Sequence, residues 1–331
     1  MIVSSAPGRC GVLGNPTDMY GGSVISCSTV ERARCEIRDA DALIVEADDG
    51  ERQEIRSEAD LEPRGDRLDL AKAVLKGLKV RPGAHAFHLK TSTEIPMQAG
   101  LAGSTALVAA VFGAVAEQLS VRLHRHALAE AIRNVEYAIM GVVCGFQDQY
   151  MAAFGGLNYL DFRDKRSELT PDEMPYATVE PLADKAPLPL PVLLAHTGVR
   201  HHSGTVHKSV RQRWLEGDPE VRTGYERIQH LARFGKKALL AGDWDRLAHA
   251  MNENQKIQHD LGASGEACDR LIEVARANGA VAGKLAGAGH GGTILALTFE
   301  PERTAQALKG AGAGRILTPA PSEGLTVSVT P

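Results

Sequence analysis

Apolar and polar positions alternate along this chain with two different periods, and the switches between them outline its elements. Short runs at Val24–Val30, Arg34–Arg38, Ala42–Glu46 and Ala86–Thr91 predict strands. Recurrence of apolar residues every three to four positions predicts helices over Leu68–Leu78, Ser104–Leu119 and His126–Met140. Four prolines between Pro181 and Pro191 interrupt the pattern, since proline cannot continue a helix or sit in a central strand. Beyond them Val192–His196 predicts a strand, followed by helices over Thr205–Glu216, Val221–Ala241, Trp244–Leu261 and Ala267–Ala277. Val281–Leu285, Thr293–Thr298 and Leu325–Val329 predict the closing strands. Strands and helices segregated in this way, in 331 residues, predict two α+β domains, 1–186 and 187–331.

The helix Ser104–Leu119 is apolar nearly all round (Leu107, Val108, Val111, Phe112, Val115), so it belongs in a core with its N-terminus aimed outward. The loop feeding it, Ile95 to Thr105, carries Gly100 and Gly103. Glycines there let backbone N–H groups approach an anion, and the helix dipole favours phosphate. The competing reading is a plain helix start with Ser104 as its cap. A second loop, Lys284 to Gly292, lies between two predicted strands. It matches G-x-G-x-x-G, but a strand follows it instead of a helix, which argues against a dinucleotide site. A tight strand-joining turn is its bland alternative. No G-x-x-x-x-G-K-[ST] motif occurs.

Glu136 falls on an apolar helix face beside Ile132, Ile139 and Met140, where a carboxylate needs a cation. A nucleotide-borne magnesium ion or a neighbouring Arg or Lys would serve. Asp148, in a glycine-punctuated turn that starts a helix, reads as a cap by spacing alone, and Asp18 sits among turn residues. The stretch Arg200 to Arg213 holds Lys208 and Arg211 and no acid, which fits a solvated helix face or a clamp for an anionic substrate. His201, His202 and His207 lack any metal-site spacing.

Composition narrows the partners. A formal net charge of −4 gives no sign of nucleic-acid or membrane affinity. Five cysteines without a C-x-x-C pair predict reduced thiols. The longest uncharged apolar run, Ala106 to Ala116, is too short to cross a bilayer, and no signal peptide is evident. These features predict a soluble, cytoplasmic protein.

Taken in order, three segments resemble the motifs of the GHMP kinases (galactokinase, homoserine kinase, mevalonate kinase and phosphomevalonate kinase). They are Ala6-Pro7-Gly8-Arg9 through Asp18 and Gly22, Pro96 through Thr105, and Lys284 through Gly292. Within that family, Gly14 to Gly22, Gly155 to Phe162 and Val210 to Gly217 are most similar to glucuronokinase. The resemblance implies a ribosomal protein S5 domain 2-like N-terminal domain and a ferredoxin-like C-terminal domain, with the site between them.

The resemblance also implies ATP and Mg²⁺ as cofactors and a sugar or sugar acid as acceptor. Asp148 would be the general base and Arg9 would lie beside the transferring phosphoryl group. Pro96, Gly100, Leu101, Ala102, Gly103, Ser104, Thr105, Gly287, Gly289 and Gly291 would cradle the nucleotide. Ser104 and Glu136 would hold the metal, with Thr105 as a second candidate for the loop ligand. Asp18, Tyr20 and Gly21 would meet the sugar, and Lys208 and Arg211 its carboxylate. Asn15 and Pro16 stand where galactokinase has Glu-His, which argues against galactose, and Ala286 replaces a common threonine. Lys284 need not touch phosphate, since its side chain could serve only as a solvated strand end. A homodimer stays open. Heptose, fucose and mevalonate kinases are the alternatives in kind, with a non-catalytic sensor behind them.

Overall fold

A computed structural model describes residues 1–166, 169, 173–198, 210–287 and 292–330. Its first sheet has eight strands, β12-β1-β2-β5-β3-β4, with β6 pairing β2 and β7 pairing β6. β1 (Ile2–Leu13) runs antiparallel to β2 (Ser23–Arg38). The long β2 changes partner midway. Its first half pairs with β6 (Leu157–Asp161) and its second with β5 (Phe87–Thr93). β3 (Leu43–Glu46) lies parallel to β5 and antiparallel to β4 (Arg52–Glu54). β7 spans Thr178–Pro181.

Among the described residues, four α-helices are threaded through this half: α1 (Asp69–Gly77), α2 (Gly103–Gln118), α3 (Arg125–Asn134) and α4 (Gln147–Phe154). All but a few side chains of α2 are buried, and it packs on β1 and β2. That is the outcome its all-round apolar sequence predicts.

The second sheet is antiparallel with order β11-β8-β10-β9, from β8 (Val192–His196), β9 (Ala280–Leu285), β10 (Thr293–Thr298) and β11 (Arg315–Leu317). Numbered along the chain this is 4-1-3-2, the ferredoxin-like arrangement. Residues 210–215 form a helix, α5. It is followed by α6 (Pro219–Ala241), α7 (Trp244–Asp260), α8 (Glu266–Ala277) and α9 (Pro301–Gly310). α7 packs on both β9 and β1, so it joins the two halves.

Several expectations need correction. Val24–Val30 and Arg34–Arg38 are one strand, and the opening of the first motif, Ala6-Pro7-Gly8-Arg9, lies within a strand, β1. The terminal strand β12 (Thr326–Val329), expected in the second half, pairs with β1 and so belongs to the first sheet. The helix predicted over His126–Met140 changes at Val135 into one wide π-turn, Val135–Ile139, closed by Met140 N–H to the Val135 carbonyl at 3.0 Å. A π-turn inserts one residue per turn and rotates what lies on it, here Glu136. Among the described residues, no helix is long and apolar enough to cross a membrane. All five cysteines are free.

Candidate active site

The first glycine loop bends through left-handed conformations at Gln98, Gly100 and Ala102 (φ +56°, +73° and +58°) before entering α2. Alternation of this kind turns successive N–H groups toward one side, and Ala102 has no side chain with which to cap the helix. The loop therefore ends in uncapped donors. The two glycine loops touch. A Cβ on Gly287 would lie 2.6 Å from the Gly100 carbonyl oxygen, so only glycine fits there. Residues 288–291, including the expected Gly289 and Gly291, lie outside the described residues, as does Lys208.

Arg9 joins the parts. From β1 its Nε donates to Asp148 Oδ1 at 2.8 Å, and its Nη2 lies 2.7 Å from the same oxygen. Its Nη1 donates to the carbonyls of Gly100 (2.7 Å) and Ala286 (3.3 Å), one in each glycine loop. Asp148 is about a third exposed and lines an open cleft together with Arg9, Asp18, Gly100, Ser104, Thr105, Glu136 and Gly287. Pro96 and Leu101 do not line it. Leu101 is buried in the core and contributes its carbonyl, which accepts from the Arg9 backbone N–H at 3.0 Å.

Glu136 is buried, and it makes no ion pair among the described residues. One of its oxygens accepts from the Thr105 hydroxyl at 2.7 Å and the other from the Gln149 amide at 2.5 Å. Burial pushes its carboxyl up to about 7, with the Asp148 charge adding to the rise. Thr105, buried in the first turn of α2, thus faces Glu136, while Ser104 is exposed at the cleft. Two hard oxygen donors and a buried carboxylate without a cation partner fit a magnesium-type ion.

Asp18 supports α4. Its Oδ2 accepts from the N–H groups of Phe146 (2.8 Å) and Gln147 (3.0 Å) at the start of that helix, one residue before Asp148. Burial drives its carboxyl up to about 6 in spite of those bonds, and the Asp148 charge contributes. Tyr20 is not a cleft residue; its ring packs 4.8 Å from both Trp214 and Tyr225. Gly21 follows in a left-handed turn (φ +72°). Arg211 lies in α5 next to Val210, which clusters with Met19 and Tyr20 under the same turn.

Lys284 is not a solvated strand end. It is fully buried, and its Nζ donates to the carbonyls of Gly11 (3.1 Å) and Leu285 (2.5 Å) and to Asn15 Oδ1 (2.7 Å). Burial lowers its ammonium to about 7, and the nearby Arg9 charge adds to the drop.

Sequence reasoning gave no role to Gln149 or Gly145, and read Asn15 only as an argument against galactose. It also passed over a second cavity of about 540 Å³ lined by Asp48, Arg67, Thr91, Met97, Gln98 and Leu107. That cavity shares Gln98 with the cleft, so the two flank one loop. No local pattern marks these residues, because their partners are distant in sequence.

The GHMP kinase N-terminal domain model matches residues 69–156, and the GHMP kinase C-terminal model matches 236–313. Glucuronokinase 1 of Arabidopsis thaliana is 33% identical over 66% of this chain, a match that takes in 59% of that relative's length. Probable glucuronokinase 2 of the same plant is 31% identical over 90% of this chain and 84% of its own. The fold is shared with Lactococcus lactis galactokinase complexed with galactose, with a TM-score of 0.80 at 18% identity over 98% of this chain and 95% of that one. With its paired glycine loops, its Arg9–Asp148 contact and these similarities, the chain belongs to the GHMP kinase family and is a phosphotransferase with an alcohol acceptor.

Proposed function

We propose that this kinase transfers the γ-phosphoryl group of ATP to the anomeric hydroxyl of a sugar acid, D-glucuronate. The observation that carries the chemistry is the placement of Asp148. Its Oδ1 is taken by Arg9, and Arg9 is bonded to a carbonyl in each glycine loop. The remaining oxygen, Oδ2, is the one available to orient an acceptor hydroxyl and take its proton. Phosphoryl transfer is mostly positioning and charge stabilisation, and one arginine tying the base to both loops provides the positioning.

The uncapped start of α2 supplies N–H groups for the phosphates. Glu136 and Thr105, with Ser104 at the rim, would hold Mg²⁺, which when bound would neutralise charge on the β- and γ-phosphates. The second cavity, on the other side of Gln98, suits the nucleoside. For the acceptor, support comes from the glucuronokinase relatives. It also comes from the packing of Val210, the neighbour of Arg211, against Met19 and Tyr20 of the acceptor turn. Gly21 and Asp18 would border that sugar.

An acceptor panel read by ADP release, with phosphorus NMR of the product, tests this. D-glucuronate should be turned over best and give a 1-phosphate. A neutral hexose or heptose that outpaces it by a wide margin would remove the sugar-acid assignment and leave the kinase chemistry standing.

A further inference from the structure

We infer that Lys284 is a positioning residue that holds the acceptor turn, residues 14–22, in register with the second glycine loop and so sets acceptor affinity. The inference rests on reading the cleft as a kinase site.

Lys284 is completely buried, with no carboxylate within ion-pair distance among the described residues. Its three acceptors are all neutral, and two of them, Gly11 O and Asn15 Oδ1, belong to the end of β1 and the turn after it. An ammonium kept in such a place is costly unless every donor is used. The same stretch is tied to β9 by further bonds. Gly11 N–H donates to the Ala286 carbonyl at 2.9 Å, and Asn15 Nδ2 donates to the carbonyls of Gly287 (3.2 Å) and Leu285 (3.4 Å). From α7, Gln258 Nε2 donates to Asn15 O at 3.0 Å, and Asn254 Oδ1 accepts from Gly14 N–H at 3.0 Å.

Asn15 lines the cleft, yet its side-chain amide is engaged on both ends by β9. It acts as a spacer and not as a sugar ligand. The turn it anchors carries Asp18, which holds the start of α4 and hence Asp148. β9 itself has other supports. β9 is laddered to β10, and Gln255 Oε1 accepts from Leu285 N–H at 2.9 Å. Loss of Lys284 should therefore loosen the acceptor turn more than β9.

Two readouts on the full chain decide it. In Lys284→Met, KM for the acceptor should rise about tenfold, from lost bonds to a charged donor, while KM for ATP moves less than about twofold. Hydrogen exchange at the bonded amides of Thr17, Tyr20 and Gly22 should quicken in the same variant while β9 stays protected. Lys284→Gln, which keeps a donor for Asn15, should recover part of both, and it carries the test should Lys284→Met not fold. Unchanged exchange in the turn, or equal effects on both substrates, would overturn the inference. A wild-type protein inactive on every acceptor would sink the functional reading instead, and the exchange comparison would still decide the role of Lys284.

Discussion

Gly145 and Asp18 stand so close that the position tolerates no side chain. A Cβ on Gly145 would overlap Asp18 Oδ2, the oxygen that accepts both N–H groups at the start of α4. Glycine is required here by a neighbour 127 positions away in the chain and not by the backbone angle of a turn. Gly145→Ala should displace Asp18 and leave two buried donors unpaired, at a cost of about 2 kcal/mol or more. Thermal unfolding and kcat should fall together; a variant with wild-type melting and turnover would refute the link.

Asp148→Asn should lower kcat by about 10²-fold or more, the range of a lost general base, with ATP binding by calorimetry little changed. Arg9→Lys offers one point charge in place of a fork and cannot bond Asp148 and both loops at once. It should lower kcat in the same direction. Near-normal turnover in Asp148→Asn would remove the base from the scheme.

The two hydroxyls of the first loop are separable. Thr105 donates to Glu136, whereas Ser104 is exposed. Thr105→Val should weaken Mg²⁺-dependent ATP use by about tenfold, and Ser104→Ala should do less. Titrating Mg²⁺ against rate in both variants ranks them; the opposite order would return the metal to Ser104.

Stability in the absence of nucleotide should depend on pH through two buried carboxyls. Asp18 and Glu136 are raised to about 6 and about 7 from ordinary values near 3.8 and 4.5. In that window the folded state binds more protons than the unfolded one. Their contribution is fully present below about pH 4 and is lost as pH rises through 6 and 7. Melting temperature should therefore drop across pH 4.5–7, and Glu136→Gln should flatten the upper part of that drop. An identical slope in the variant would show that Glu136 does not titrate there.

Much of the fold was legible because local pattern and tertiary setting agree. α2 reads as a buried helix and is one, and the edges of α6, α7 and α8 fall close to their predicted places. α9 was missed although Pro301 marks its first turn. β1 went unassigned because Pro7 and Gly8 interrupt the strand pattern; a register shift against β2 between Pro7 and Arg9 accommodates them. The site was legible in its parts. The glycine loops and Glu136 stood out by residue type and setting, whereas Asp148 and Asp18 read as a cap and a turn residue until the resemblance singled them out.

Residue types and their spacing, taken alone, determined the two α+β halves, the glycine-rich loops and the suspicion that falls on Glu136, since these depend on neighbours within a few positions. Only the tertiary structure decided that Thr105 faces Glu136, that Asp18 caps the helix bearing Asp148, and that Lys284 is buried against Asn15. It also decided that the last strand returns to the first sheet. Each of these pairs residues far apart in the chain. A hydrogen bond or a desolvated charge depends on which groups share the space, and the local pattern along a chain carries no record of that.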